Sequence, residues 1–196
     1  PPQFLLGTGN AAYNFLKSFN VDAGYANLDA VTATFKESAR SMYDVPTPTN
    51  LRSFQSRGGK ILVFNGTADP TVSAQDTINW YKGLQAEDAK AGIATSSYAQ
   101  LYLVPGMGHC QGGPSTDKFD LFSVLEKWAD PSLSGQEVPV APGNIEASVT
   151  AGNADAPKLW RDNQRTRPLC AFPKVARYVG STTTPNFERA ANYRCE

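Results

Sequence analysis

The clearest hydrophobic feature of the chain is an unbroken apolar run, Ile61 to Phe64 in GGKILVFNG (residues 58–66), with glycines on either side. Continuous apolar residues without alternation suit a strand buried on both faces of a parallel sheet. The period then changes. In SAQDTINWYKGL the residues Ile78, Tyr81 and Leu84 fall three apart and Ser73 stands at an N-cap position, which predicts a helix from Ser73 that fades near Gly83. A polar connection, QAEDAKAGIATSS, leads to a second apolar stretch, YAQLYLV, residues 98–104. Strand, helix, strand is a βαβ unit, so the fold class is α/β.

Elsewhere the pattern is weaker. Phe122, Leu125 and Trp128 share one face of KFDLFSVLEKWAD, predicting a helix capped by Ser115 or Thr116 and stopped by Pro131. Before the first strand, AAYNFLKSF and LDAVTATFKESARSMY predict short helices joined by GYAN, and PTPTNLRSF an extended lead into the sheet. From residue 131 onward the chain is rich in Pro, Gly, Asn and Ala, with little periodicity.

Composition narrows the function classes. The chain has 196 residues, enough for one core, with formal net charge zero and 18% charged residues. It has no basic run of the kind that binds nucleic acid or anionic lipid, so neither is an expected partner. No apolar stretch approaches the roughly 20 residues that span a bilayer, and PPQFLLGTGN lacks the charged start of a signal peptide, so a soluble protein is expected. Of the three cysteines, Cys110, Cys170 and Cys195, two can pair and one is left over. A Cys170–Cys195 bridge would fasten the aperiodic tail by roughly 3 kcal/mol and imply an oxidising compartment; three reduced cysteines of a cytosolic protein are the alternative.

Two polar residues follow the predicted strands: Asp69 in NGTADP and His109, the only histidine, in VPGMGHCQGGP. The carboxyl edge of a parallel sheet is where catalytic groups collect. A carboxylate receiving an imidazole N–H fixes the tautomer and stabilises the imidazolium formed when the other nitrogen takes a proton. Acid then histidine is the order of the last two members of a Ser-Asp-His triad, but no G-x-S-x-G turn occurs in the chain, and Ser73 and Ser115 read as helix caps. Each residue also has an ordinary reading, since Asp-Pro is a common turn pair and a loop histidine can be merely satisfied. His109 and Cys110 are adjacent and diverge, with no second His/Cys cluster, so no metal site is expected. A dinucleotide-binding reading fails for want of G-x-G-x-x-G after a strand.

Three stretches, RGGKILVFNGTADPTVSAQDTINWY, LYLVPGMGHCQGGPSTDKFD and RTRPLCAFPKVARYVGS, closely resemble the carboxyl-terminal part of the tannase/feruloyl esterase family, from about residue 40 to the end. The resemblance implies the carboxyl-terminal portion of an α/β-hydrolase fold, with the end of an inserted lid domain at the start. Residues 1–57 would be the end of the lid and the return to the core, and residues 58–196 the rest of the catalytic domain. It implies hydrolysis of esters of aromatic acids, such as ferulate, gallate or a terephthalate monoester, by a serine, with Asp69 as triad acid and His109 as base. Cys170 and Cys195 match the family's tail disulfide. Cys110 matches half of a disulfide whose partner precedes the serine, so its partner and the serine are expected on an upstream segment of the same enzyme. Val72 is expected either to wall the acyl pocket or to serve as a helix-start hydrophobe, and Gly106 and Gly108 to let the histidine loop turn. No cofactor is expected for the chemistry. The family's lid carries a structural calcium, whose ligands are not identified in this chain, and the protein is expected to be secreted, extracellular or periplasmic. A non-catalytic, hydrolase-like binding or scaffold module is the alternative.

Overall fold

The structure, a computed structural model of the chain, describes residues 18–43, 51–134 and 142–196. The chain divides into two compact units, Pro1–Pro46 and Thr47–Glu196.

In the first unit, helix α1 (Val21–Asn27) starts where the Asn20 side chain accepts the Ala23 N–H at 3.0 Å. The predicted linker GYAN therefore lies inside a helix. Of the helix predicted over 28–43, only α2 (Ala39–Tyr43) forms. Upstream of it the Thr32 hydroxyl takes the Phe35 N–H at 2.9 Å, a local turn bond that competes with helix formation. Most of AAYNFLKSF lies outside the described residues. The unit buries no residue of either helix; Arg40 pairs with Asp29 at 2.7 Å and lies over the Tyr25 ring.

The second unit opens with α3 (Arg52–Ser56), where an extended lead was expected; residues 46–50 of that segment are outside the described ones. Leu51 packs on the core and the Arg52 guanidinium donates to the Glu87 carbonyl at 3.1 Å, which favours a compact turn over an extended approach. Strand β1 (Ile61–Gly66), helix α4 (Ala74–Lys90) and strand β2 (Ala99–Val104) form the βαβ unit. β1 and β2 pair in parallel, Ile61 opposite Ala99 through Gly66 opposite Val104. Ser73 caps α4, accepting from Asp76 N at 3.3 Å.

The helix does not fade at Gly83. Leu84, fully buried, carries it into the next turn, and the buried Asp88 carboxylate takes the Thr95 and Tyr98 hydroxyls at 2.7 and 2.9 Å. These bonds outweigh the roughly 1 kcal/mol that an interior glycine costs. The helix stops at Gly92, whose positive φ of 68° suits a C-terminal cap.

β2 is covered on both faces. Tyr81 and Leu84 of α4 pack with Tyr98, Ala99 and Leu101 on one side, while Tyr102 and Val104 pack with Met107, Ile145, Ala147 and Leu169 on the other. Helix α5 (Leu121–Ala129) starts later than predicted and is capped by Asp120, which accepts the Ser123 N–H at 2.9 Å. Ser115 and Thr116 are not its caps. Lys118 and Ser148 exchange two backbone hydrogen bonds at 2.9 and 2.8 Å, which keeps residue 118 extended.

The tail, aperiodic in sequence, folds into two antiparallel pairs: β3 (Ile145–Ser148) with β4 (Thr166–Leu169), and β5 (Ala176–Tyr178) with β6 (Tyr193–Cys195). Between β3 and β4 lies a short helix, α6 (Lys158–Asp162). Strands of three or four residues are too short to show a period of two. The Cys170–Cys195 disulfide, with Cα atoms 5.5 Å apart, ties the end of β4 to β6.

Candidate active site

Parallel pairing sends the chain out of β1 and β2 at the same edge, so the two following loops meet. The Thr67 hydroxyl accepts the Gly106 N–H at 2.9 Å, Ala68 N donates to the Met107 carbonyl at 3.1 Å, and Thr67 N donates to the Val104 carbonyl at 3.0 Å. Met107, with no exposed surface, anchors the histidine loop in the core. Gly106 has φ of 74° and Gly113 of 69°, and a Cβ on Gly113 would stand 2.1 Å from the Gly106 carbonyl oxygen. These two glycines let the ends of the loop clasp; Gly108, expected to do so, has an ordinary φ.

These joined loops place His109 Nδ1 2.9 Å from Asp69 Oδ2. The Asp69 side chain is 5% exposed and that of His109 52%. The other Asp69 oxygen accepts the Thr71 and Val72 N–H groups at 2.8 and 2.9 Å. The Val72 N–H is the main reason the Asp69 carboxyl is held below the usual carboxylate range, against the opposing effect of burial, with His109 and Thr71 adding to it. An ionised carboxylate only accepts, so His109 Nδ1 carries the donated proton, which in the neutral ring leaves the lone pair on Nε2.

A lowered folded-state value stabilises the folded pair above the ordinary 3.8, and the contribution is lost as pH falls through the lowered value. The Asp69 carboxyl carbon, followed by NMR, is expected to titrate with a midpoint below 3.8. A midpoint at or above that value would contradict the hydrogen bonding described.

Asn65, buried at the end of β1, braces the acid turn: its amide donates to the Gly66 and Val72 carbonyls at 3.0 and 3.4 Å, and its oxygen accepts the Thr77 hydroxyl at 2.6 Å. Asp69 and His109 open onto a concavity of about 270 Å³ whose walls include Phe64, Val72, Met107 and Cys110. Val72 is 46% exposed there, and Phe64, which reads in sequence as a core strand residue, is 39% exposed and meets Phe119 edge-to-face at 5.3 Å. Cys110 is exposed and unpaired, with φ of 56°, a conformation uncommon outside glycine.

Sequence reasoning missed the groups that hold the far side of the loop. Asp117 accepts the Gly112 and Thr150 N–H groups at 3.0 and 2.9 Å, Asp155 accepts the Gly113 N–H at 3.0 Å, and the Asn153 amide donates to the Gly113 carbonyl at 2.9 Å. Burial pushes the Asp117 carboxyl up, but the Thr150 and Gly112 donors outweigh it and hold it below the usual range. The Ser115 hydroxyl closes the loop on itself, donating to the Gly112 carbonyl at 2.8 Å. Among the described residues no three His, Cys, Asp or Glu side chains gather as a metal-binding group.

A parallel strand pair bridged by a helix, with a carboxylate–imidazole contact at its carboxyl edge, defines an α/β protein. The chain belongs to the tannase and feruloyl esterase family, whose family model matches residues 3–196. Mono(2-hydroxyethyl) terephthalate hydrolase of Piscinibacter sakaiensis is 37% identical over 194 residues, covering 97% of this chain and 29% of that enzyme. Two crystal structures share the fold: an esterase from Aspergillus oryzae (TM-score 0.62, 16% identity, 98% of this chain and 36% of that one) and feruloyl esterase B from the same species (0.59, 19%, 98% and 35%). The chain thus spans about a third of the length of the proteins it matches. Members of the family are esterases.

Proposed function

We propose that this chain is the acid–base part of a serine carboxylesterase acting on esters of aromatic acids such as ferulate or gallate. The observation that carries the reading is the 2.9 Å contact between His109 Nδ1 and Asp69 Oδ2 at the carboxyl edge of the parallel pair. His109 Nε2 takes the proton of a serine hydroxyl as its oxygen attacks the ester carbonyl, then delivers it to the leaving alkoxide oxygen; the alcohol departs and an acyl-enzyme remains. Water repeats the cycle and frees the acid and the serine. Asp69 holds the tautomer and stabilises the imidazolium.

The serine comes from an upstream segment of the same enzyme, joined by a disulfide to Cys110. That pairing is supported by the exposure of Cys110 and its position next to His109. Residues 1–57 are read as the end of a lid domain and residues 58–196 as hydrolase core. Secretion is proposed, supported by the Cys170–Cys195 disulfide; no helix among the described residues is long and apolar enough to cross a membrane.

The test is to isolate the natural protein and measure its mass with and without reductant, alongside turnover of hydroxycinnamate, gallate and nitrophenyl esters. A second polypeptide released by reductant, or a longer chain with Cys110 bonded upstream, together with turnover, is the expected result. No turnover with the upstream segment present would favour a binding or scaffold module, and a free Cys110 in the natural protein would sink the disulfide assignment.

A further inference from the structure

A second cavity, of about 240 Å³, shares no lining residue with the concavity at His109. Its walls include Pro105 and Pro114, at the two ends of the histidine loop, and Trp160, Arg165, Arg167 and Tyr193 from the tail. The two arginines differ. Arg165 is neutralised: its Nε donates to Glu188 Oε2 at 2.8 Å, an Nη atom donates to Oε1, and its guanidinium lies 3.9 Å from the centre of the Trp160 ring.

Arg167 lies 4.3 Å over the Tyr193 ring and gives an Nη1 hydrogen bond to the Thr166 carbonyl at 2.8 Å, and among the described residues no carboxylate comes within ion-pair distance of it. It is half-buried. Three guanidinium groups, those of Arg165, Arg167 and Arg189, act on the one carboxylate of Glu188. Arg165 is directly paired and Arg189 is exposed to water, so Arg167, half withdrawn from water with no directly paired carboxylate, is the group short of an anion. A guanidinium laid flat on a ring keeps a planar edge of N–H donors that matches a carboxylate in two places. Apolar walls around one such group are the ordinary make-up of a small-ligand site, and the volume, below the roughly 300–1,000 Å³ of sites for drug-sized ligands, restricts the occupant to about one ring.

We propose that this cavity binds a small aromatic carboxylate, with the carboxylate on Arg167 and the ring against Trp160, Tyr193 and the two loop prolines. The site is separate from the acid–base pair and its existence does not depend on the esterase reading.

The test is titration of the ¹⁵N-labelled protein with benzoate, followed by NMR at the Trp160 indole N–H. Saturable shifts are expected at Trp160 and along β4. Benzamide, with the same ring and no charge, is expected to bind at least about tenfold more weakly, as is benzoate to Arg167→Gln, since a charge-assisted hydrogen bond carries at least that factor. The benzamide comparison uses the unaltered protein, so it decides the matter even if the variant fails to fold. The proposal is overturned if benzoate does not saturate the signal, if benzamide binds equally well, or if the shifts fall on residues 64–72 instead. Acetate binding as tightly as benzoate would overturn the aromatic part of the assignment.

Discussion

On the proposed function, replacing His109 by alanine in the enzyme that includes the serine-bearing segment is expected to lower ester turnover by about 10⁴-fold, roughly 5 kcal/mol of transition-state stabilisation. The proton leaving the serine then lacks its imidazole acceptor, and the carboxylates that hold the far side of the loop, Asp117 and Asp155, are engaged with backbone N–H donors. Since the proton transfers occur only on the way to the transition state, kcat and kcat/KM fall together. Asp69→Asn is expected to lower both by about 10³- to 10⁴-fold, because an amide can donate to Nδ1 and so favour the wrong tautomer. Steady-state kinetics on a hydroxycinnamate or nitrophenyl ester measures both. Turnover of His109→Ala within tenfold of the parent would remove His109 from the mechanism.

The second large effect is expected at Gly66, the last residue of β1. A Cβ there would stand 2.2 Å from the Met107 carbonyl oxygen and 2.6 Å from that of Gly108. Both are backbone atoms, so neither can swing aside as a side chain would. The Met107 carbonyl is also held by the Ala68 N–H, and Met107 itself is fully buried. Gly66→Ala must therefore push the histidine loop away from the acid turn. Overpacking of this kind costs about 1–3 kcal/mol, read as an earlier urea midpoint. A shift of about 1 Å between the loops would also lower turnover by about a hundredfold. An unchanged urea midpoint together with unchanged kcat would show that the two loops are not in the contact described.

The parts of the site that were legible in the chain are those set by local pattern. An apolar run between glycines marks β1, the period of three after Ser73 marks the start of α4, and the polar residues just past each strand, Asp69 and His109, fall at one edge once the strands are parallel. Elements that depend on distant partners were not legible. Gly83 reads as a helix end, but the Thr95 and Tyr98 hydroxyls on Asp88 carry α4 on to Lys90. Ser115 and Thr116 read as caps, but the exchange between Lys118 and Ser148 delays α5 until Asp120. Phe64 reads as core, and only the three-dimensional arrangement leaves it partly exposed at the wall of the site.

By itself the sequence determined the α/β class, the strand–helix–strand order, the identity of the acid and base candidates and the odd cysteine, because run length, period and residue chemistry are local properties. Only the tertiary structure decided that His109 and Asp69 touch, that Gly66 and not Gly108 is the tight point between their loops, that Asp117, Asn153 and Asp155 hold the loop from behind, and that no carboxylate among the described residues lies within ion-pair distance of Arg167. Apart from the Asp117–Gly112 bond, five positions apart, these are relations between residues 33 or more positions apart, or between a group and its surroundings, and packing sets such distances.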